Sequence, residues 1–101
     1  MNLRVSIVVL AILGAMTTAS YAAQATYVCS GGTKLTAVFS KPTTTPGDVV
    51  LSIVGTPKAI KLPQVMSADG GRYSQGDVEF WIKGRDATLN RKGTSETCRT
   101  R

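Results

Sequence analysis

Residues 78–83 read Val-Glu-Phe-Trp-Ile-Lys. In an extended chain Val78, Phe80 and Ile82 fall on one side, and Glu79, Trp81 and Lys83 on the other. Alternation with period two, bounded here by Gly76-Asp77 and Gly84, is the mark of a half-buried β-strand. The same pattern extends outward in both directions. Lys34–Phe39 alternates, with Leu35, Ala37 and Phe39 on one face and Thr36 and Val38 on the other. Val49–Val54 is apolar and β-branched, Ala59–Leu62 and Ala87–Asn90 are shorter candidates, and Tyr27–Ser30 is an opening strand that carries Cys29. Gly31-Gly32, Pro42–Gly47, Gly55-Thr56-Pro57, Pro63, Gly70-Gly71 and Gly93 punctuate these runs, as Gly and Pro do at hairpins. The chain shows neither an amphipathic helix of useful length nor an internal repeat. Six to eight short strands in fewer than 80 residues predict an all-β domain, either a small antiparallel barrel or a sandwich. Closing the sheet removes its exposed edges.

Composition narrows the chemistry. The 101 residues include 12 Lys and Arg, 6 Asp and Glu, 2 Cys and no His, for a net charge of +6. One domain is the limit at this length. Without histidine there is no His general base, no Ser-His-Asp or Cys-His nucleophile and no histidine metal site. Two cysteines cannot build a four-thiolate zinc site. No metal or cofactor is therefore expected. With 43% apolar and 18% charged residues, a packed core is expected and wholesale disorder is not. The cationic excess suits an anionic partner but names none.

Residues 1–25 read as a secretory signal peptide. Arg4 supplies the positive start, and Val5–Ala15 is an apolar run of 11 residues, too short for a bilayer that needs about 20. Two small-residue sites follow, with cleavage after Ala22 or after Ala25. Cys29 is preceded by Thr26-Tyr27-Val28, which lacks the Leu and small residues of a lipoprotein signal, so a mature form without a membrane anchor is expected. It would begin near residue 26 and run to 101, and it would keep 11 cations and 6 anions, a charge of +5. A domain this small is marginal without a staple. Cys29 and Cys98, 69 positions apart, can provide one in the oxidising compartment that export implies. The competing reading is a free reactive thiol.

The ordered set of residues across the mature chain resembles a known family, the periplasmic and membrane-bound inhibitors of c-type lysozyme. The resemblance runs through Tyr27-Val28-Cys29, Gly32, the alternating Leu35–Phe39, and a Leu62-Pro63 segment. It continues through Ser67-Ala68-Asp69-Gly70-Gly71-Arg72-Tyr73, Phe80-Trp81-Ile82-Lys83-Gly84, Ala87, Leu89 and a closing Cys98. The resemblance implies an eight-stranded antiparallel barrel whose 67–74 loop and strand lysine enter the lysozyme cleft and meet its catalytic carboxylates. The lack of a lipoprotein cysteine places this member, by expectation, in the soluble periplasmic branch, as a monomer or homodimer. The candidate partner-binding residues are Ser67, Asp69, Gly70, Arg72, Tyr73 and Lys83.

The residues themselves support part of this. A c-type lysozyme works with one protonated and one ionised carboxylate, and an ammonium delivered between them disturbs that arrangement. Lys83 is an outward cation at a strand end. Arg72 and Tyr73 follow a double glycine, where backbone can approach a partner closely, and both residue types are frequent interface anchors. Tyr73 can equally plug one end of a barrel, and Trp81 can be core if the strand carries a bulge. One position departs from the family. Its second loop serine is matched by Asp69, 14 positions before Lys83. An ionised aspartate only accepts hydrogen bonds and would face like charges. Either Lys83 or Arg72 neutralises it, or the register is offset so that Ser67 or Ser74 takes the serine's part, or this member inhibits weakly or targets a different lysozyme.

Two other classes compete. A small basic barrel can bind an anionic envelope polymer or single-stranded nucleic acid through a cationic groove lined with aromatics. The cations form no dense run, however, and export argues against nucleic acid. An enzyme could use Asp77 and Glu79, which would share a strand face, although both flank the Gly76 turn. The reading adopted is a non-enzymatic inhibitor.

Overall fold

The computed structural model describes residues 23–41 and 43–101. The proposed signal segment up to Ala22 lies outside the described residues. Eight strands follow in order: β1 (Gln24–Cys29), β2 (Lys34–Phe39), β3 (Asp48–Ile53), β4 (Ile60–Val65), β5 (Gly71–Gln75), β6 (Val78–Lys83), β7 (Asp86–Arg91) and β8 (Thr94–Thr100). Each pairs antiparallel with the next, and β8 returns to β1, so the sheet closes as an up-and-down barrel. Among the described residues no helix is long and apolar enough to cross a membrane.

The alternation of the sequence becomes the inside and outside of this barrel. Leu35, Ala37, Leu51, Leu62, Phe80 and Leu89 are almost fully buried. Tyr27 meets Phe80 edge-to-face, with ring centroids 5.2 Å apart, a geometry that suits the aromatic quadrupoles. Burial pushes the Tyr27 hydroxyl above its ordinary pKa, with a smaller push from Tyr73. No polar or charged residue is fully buried among the described residues, so the core carries no unpaired charge.

Two strands escaped the sequence reading. In β5, Gly-Arg-Tyr-Ser-Gln offers no apolar β-branched residue. In β8, Thr-Ser-Glu-Thr-Cys-Arg-Thr buries only Cys98. Both are strands because neighbours hydrogen-bond to them along their length, with five register pairs between β5 and β6 and six between β7 and β8. Tertiary pairing overrides weak local pattern. The candidate 67–74 loop is corrected accordingly: it ends at Gly70, and Arg72, Tyr73 and Ser74 belong to β5. β4 also runs past the expected Leu62 and through Pro63. Proline is tolerated here because its pairing passes at that point from β3 (Asp48 with Pro63) to β5 (Gln64 with Tyr73). Lys92 and Gly93, both with positive φ (51° and 85°), form the two-residue turn between β7 and β8 that suits hairpin twist.

Cys29 and Cys98 are register partners on the β1–β8 seam and form a disulfide; the free-thiol reading is set aside.

Up-and-down order sorts the connections by end. The β2–β3, β4–β5 and β6–β7 links lie at one rim, and the other four lie at the opposite rim. Glu96 closes that opposite rim. It is the register partner of buried Leu89 and so points inward with it. Its carboxylate accepts from Gly31 N at 2.9 Å and Thr33 Oγ1 at 2.7 Å, and Arg91 lies 3.8 Å away. The side chain is only 11% exposed. The Thr33 hydroxyl, then the backbone amides and Arg91, hold the Glu96 carboxyl below its usual range, against burial. A depressed folded pKa contributes stability that is present above the ordinary glutamate range and lost as pH falls through the folded value. Glu96→Ala is therefore expected to destabilise by about 1.5 kcal/mol at neutral pH. It should also flatten the acid limb of the stability curve, as read by urea unfolding between pH 7 and pH 3. An unchanged acid limb would show that this carboxylate does not link β1 to β8.

Candidate functional site

The rim that carries the β4–β5 and β6–β7 links holds most of the residues singled out in the sequence. On β6, Glu79, Trp81 and Lys83 face outward, as alternation requires, while Phe80 is fully buried. Trp81 is thus not a core residue brought in by a bulge. Arg72 on β5 sits directly across from Trp81. Its guanidinium pairs with Glu79 and lies 5.0 Å from the indole centroid. The Lys83 ammonium lies 4.4 Å from the same centroid. Two cations therefore share one aromatic ring, within the range at which the ring quadrupole attracts them.

The loop between β4 and β5 is tied to this platform. Trp81 Nε1 donates to the Asp69 carbonyl at 2.8 Å. Ser67 Oγ donates to the same carbonyl at 2.6 Å and accepts from Asp69 N at 3.2 Å, a local turn of the kind serine side chains favour. Gly70 has φ +69°, and a Cβ there would stand 1.9 Å from the Ile82 carbonyl oxygen. Only glycine lets the loop lie against the β6 backbone at this point.

Ser67, Asp69, Gly70, Arg72 and Lys83 thus come together. Tyr73 does not join them. It turns inward against Phe39, with ring centroids 5.8 Å apart, and fills the end of the barrel. Burial, and secondarily Asp48, raise its hydroxyl pKa. The expected neutralisation of Asp69 is also absent. Arg72 is engaged with Glu79, Lys83 stacks on the indole, and Asp69 has no ion pair within 4.0 Å among the described residues. Its carboxylate is exposed to solvent.

Sequence reasoning assigned no role to Trp81 or Met66. Met66 is 90% exposed and opens the loop. The signal for Trp81 was available: a large aromatic on the polar side of a clean alternation needs something to cover it.

The alternatives lose their footing. Asp77 lies in the β5–β6 turn, outside β6, and Glu79 is taken by Arg72, so they form no carboxylate pair on a strand face. No cluster of three metal-ligating side chains occurs among the described residues. Tyr27, Phe39, Tyr73 and Phe80 all face inward, which leaves Trp81 without partners for an aromatic-lined groove among the described residues.

The fold and site define a small disulfide-closed β-barrel with a fixed, cation-bearing protrusion at one rim. The pattern of the family described as membrane-bound lysozyme-inhibitor of c-type lysozyme matches residues 27–97, and the chain belongs to that family. A membrane-bound lysozyme inhibitor of C-type lysozyme from Yersinia enterocolitica is 38% identical over 65 residues, which cover 64% of this chain and 50% of that protein. The chain thus spans about half the length of that curated relative. The crystal structure of Pseudomonas aeruginosa MliC in complex with hen egg white lysozyme superposes with a TM-score of 0.67 at 25% identity, over 91% of this chain and 99% of that one.

Proposed function

We propose that the mature chain is a non-enzymatic inhibitor of c-type lysozyme that presents the 67–70 loop and Lys83 to the enzyme's catalytic carboxylates. The observation that carries this reading is the joint fixation of loop and ammonium on Trp81 at one rim. A lysozyme needs one carboxyl protonated and its neighbour ionised. An ammonium at that pair favours ionisation of both and removes the acid. The likeness to a lysozyme-bound relative supports the same partner.

The reading includes export to the periplasm, with the signal removed and no anchor retained. Of the two cleavage sites, Ala22 is favoured. β1 begins at Gln24, and the Ala23 carbonyl accepts from Phe39 N at 2.9 Å. Cleavage after Ala25 would delete that bond and the pairs of Gln24 with Val38 and Ala25 with Ala37.

The test is a cell-wall turbidity assay with hen lysozyme and the exported, processed protein, whose mass reports the cleavage point. Clearing is expected to stop at near-stoichiometric inhibitor. Undiminished clearing by every c-type lysozyme tried would defeat the proposal and leave the anionic-polymer reading in its place.

A further inference from the structure

We infer that Trp81 is the positioning residue of the site, the one side chain that sets both the loop and Lys83 before the partner arrives. The inference rests on the inhibitor reading and goes beyond it by assigning a role to a residue that need not touch the enzyme. Three contacts converge on this indole. Its N–H holds the Asp69 carbonyl at 2.8 Å, its ring takes the Lys83 ammonium at 4.4 Å, and the Arg72 guanidinium stands at 5.0 Å. Arg72 is in turn fixed by Glu79.

The physical consequence is preorganisation. A lysine at the end of a strand loses rotamer entropy when it is immobilised, and an untethered loop loses more. Binding normally bears these costs. Here the indole bears them in the free chain, because ring and ammonium attract while both remain half in water. The N–H bond adds what the ring cannot, a fixed height for the loop above β6. Gly70 against the Ile82 carbonyl supplies contact without a polar bond, so the Asp69 carbonyl depends on Ser67 and Trp81 alone among the described bonds. The arrangement also explains why a large aromatic stands on the outer face of β6. Arg72, Lys83 and the loop cover it.

The test is a mutant cycle read by lysozyme inhibition, with thermal midpoint and amide exchange as controls. Trp81→Phe keeps the ring and removes the N–H. It should weaken inhibition about fivefold and speed exchange of the loop amides at 69–71, with the midpoint nearly unchanged. Trp81→Leu removes both functions and should weaken inhibition about thirtyfold. In that background Lys83→Ala should cost less than tenfold, against about a hundredfold in the native chain, because an unpositioned lysine has less to lose. Additive effects would overturn the inference and make Trp81 an ordinary contact. Full inhibition by Trp81→Leu would overturn it while leaving the inhibitor reading intact. Failure of the native chain to inhibit would overturn both. If Trp81→Leu does not fold, loop exchange and inhibition by Trp81→Phe decide: native values for both overturn the inference.

Discussion

Lys83→Ala is expected to weaken lysozyme inhibition by about a hundredfold, or about 2.7 kcal/mol, while lowering the thermal midpoint by only a few degrees. The magnitude follows from removing one partner of a charge pair that becomes desolvated in a complex. The small size of that drop follows from position: Lys83 is exposed, ends β6 and makes no ion pair within 4.0 Å among the described residues, so its removal costs only the contact with the Trp81 ring, about 0.5–1 kcal/mol at an exposed site. The sign separates this effect from general electrostatics. The chain is cationic, with 12 basic and 6 acidic side chains, and c-type lysozymes are usually cationic too. Deleting a cation anywhere reduces long-range repulsion and should speed encounter slightly. Lys34→Ala, at the opposite rim, removes the same charge and should inhibit as well as the native chain or marginally better. If Lys83→Ala behaves like Lys34→Ala, the ammonium has no role at the enzyme's carboxylates. Asp69→Ser is the companion measurement. It raises the net charge, which slows encounter, yet it removes an exposed, unpaired anion from the approaching loop. About threefold stronger inhibition is expected, and weaker inhibition would show that Asp69 accepts bonds from the partner.

Much of this fold could be read from alternation, and the site only in outline. Residues 34–39 and 78–83 declared their inward and outward faces because every second side chain is apolar. β5 and β8 gave no such sign, since a closed barrel can carry strands that contribute little to the core when both neighbours hydrogen-bond to them. The cysteine pair was legible from the expectation of export and from number alone. The fate of Arg72 was not. Whether it meets Asp69 or Glu79 depends on the β5–β6 register, in which Arg72 opposes Trp81 and Ser74 opposes Glu79, and no local spacing encodes that. Trp81 was placed on the right face but given no role, because its partners lie on a loop 12 positions away and on the neighbouring strand. Tyr73 could anchor a partner or plug the barrel on sequence grounds, and inward packing on Phe39 favours the plug.

Replacing both Cys29 and Cys98 by alanine is expected to lower stability by about 4 kcal/mol, the loop-closure value for a separation of 69 positions. A domain of this size holds roughly 4–12 kcal/mol in all, so the loss is a third or more of the total and should lower the melting midpoint by about 20 °C. The location of the bond predicts how the loss appears. β1 meets β8 through three register pairs, whereas β7 meets β8 through six. The seam is where the first and last strands must find each other, and the disulfide crosses it. Without it, amides at 27–29 and 98–100 should lose exchange protection before those of β6 and β7. Inhibition should behave differently. β5 and β6 pair with β4 and β7 and with neither strand of the seam, so the cysteine-free chain should still inhibit lysozyme at temperatures well below its lowered midpoint. Loss of inhibition under conditions where the variant remains folded would mean that the seam and the Trp81 platform are coupled through the barrel. A midpoint that falls by only a few degrees would mean that the core closes the barrel without its staple. Because stability is read by melting and function by turbidity, the two results can fail independently, and each failure names a different part of the molecule.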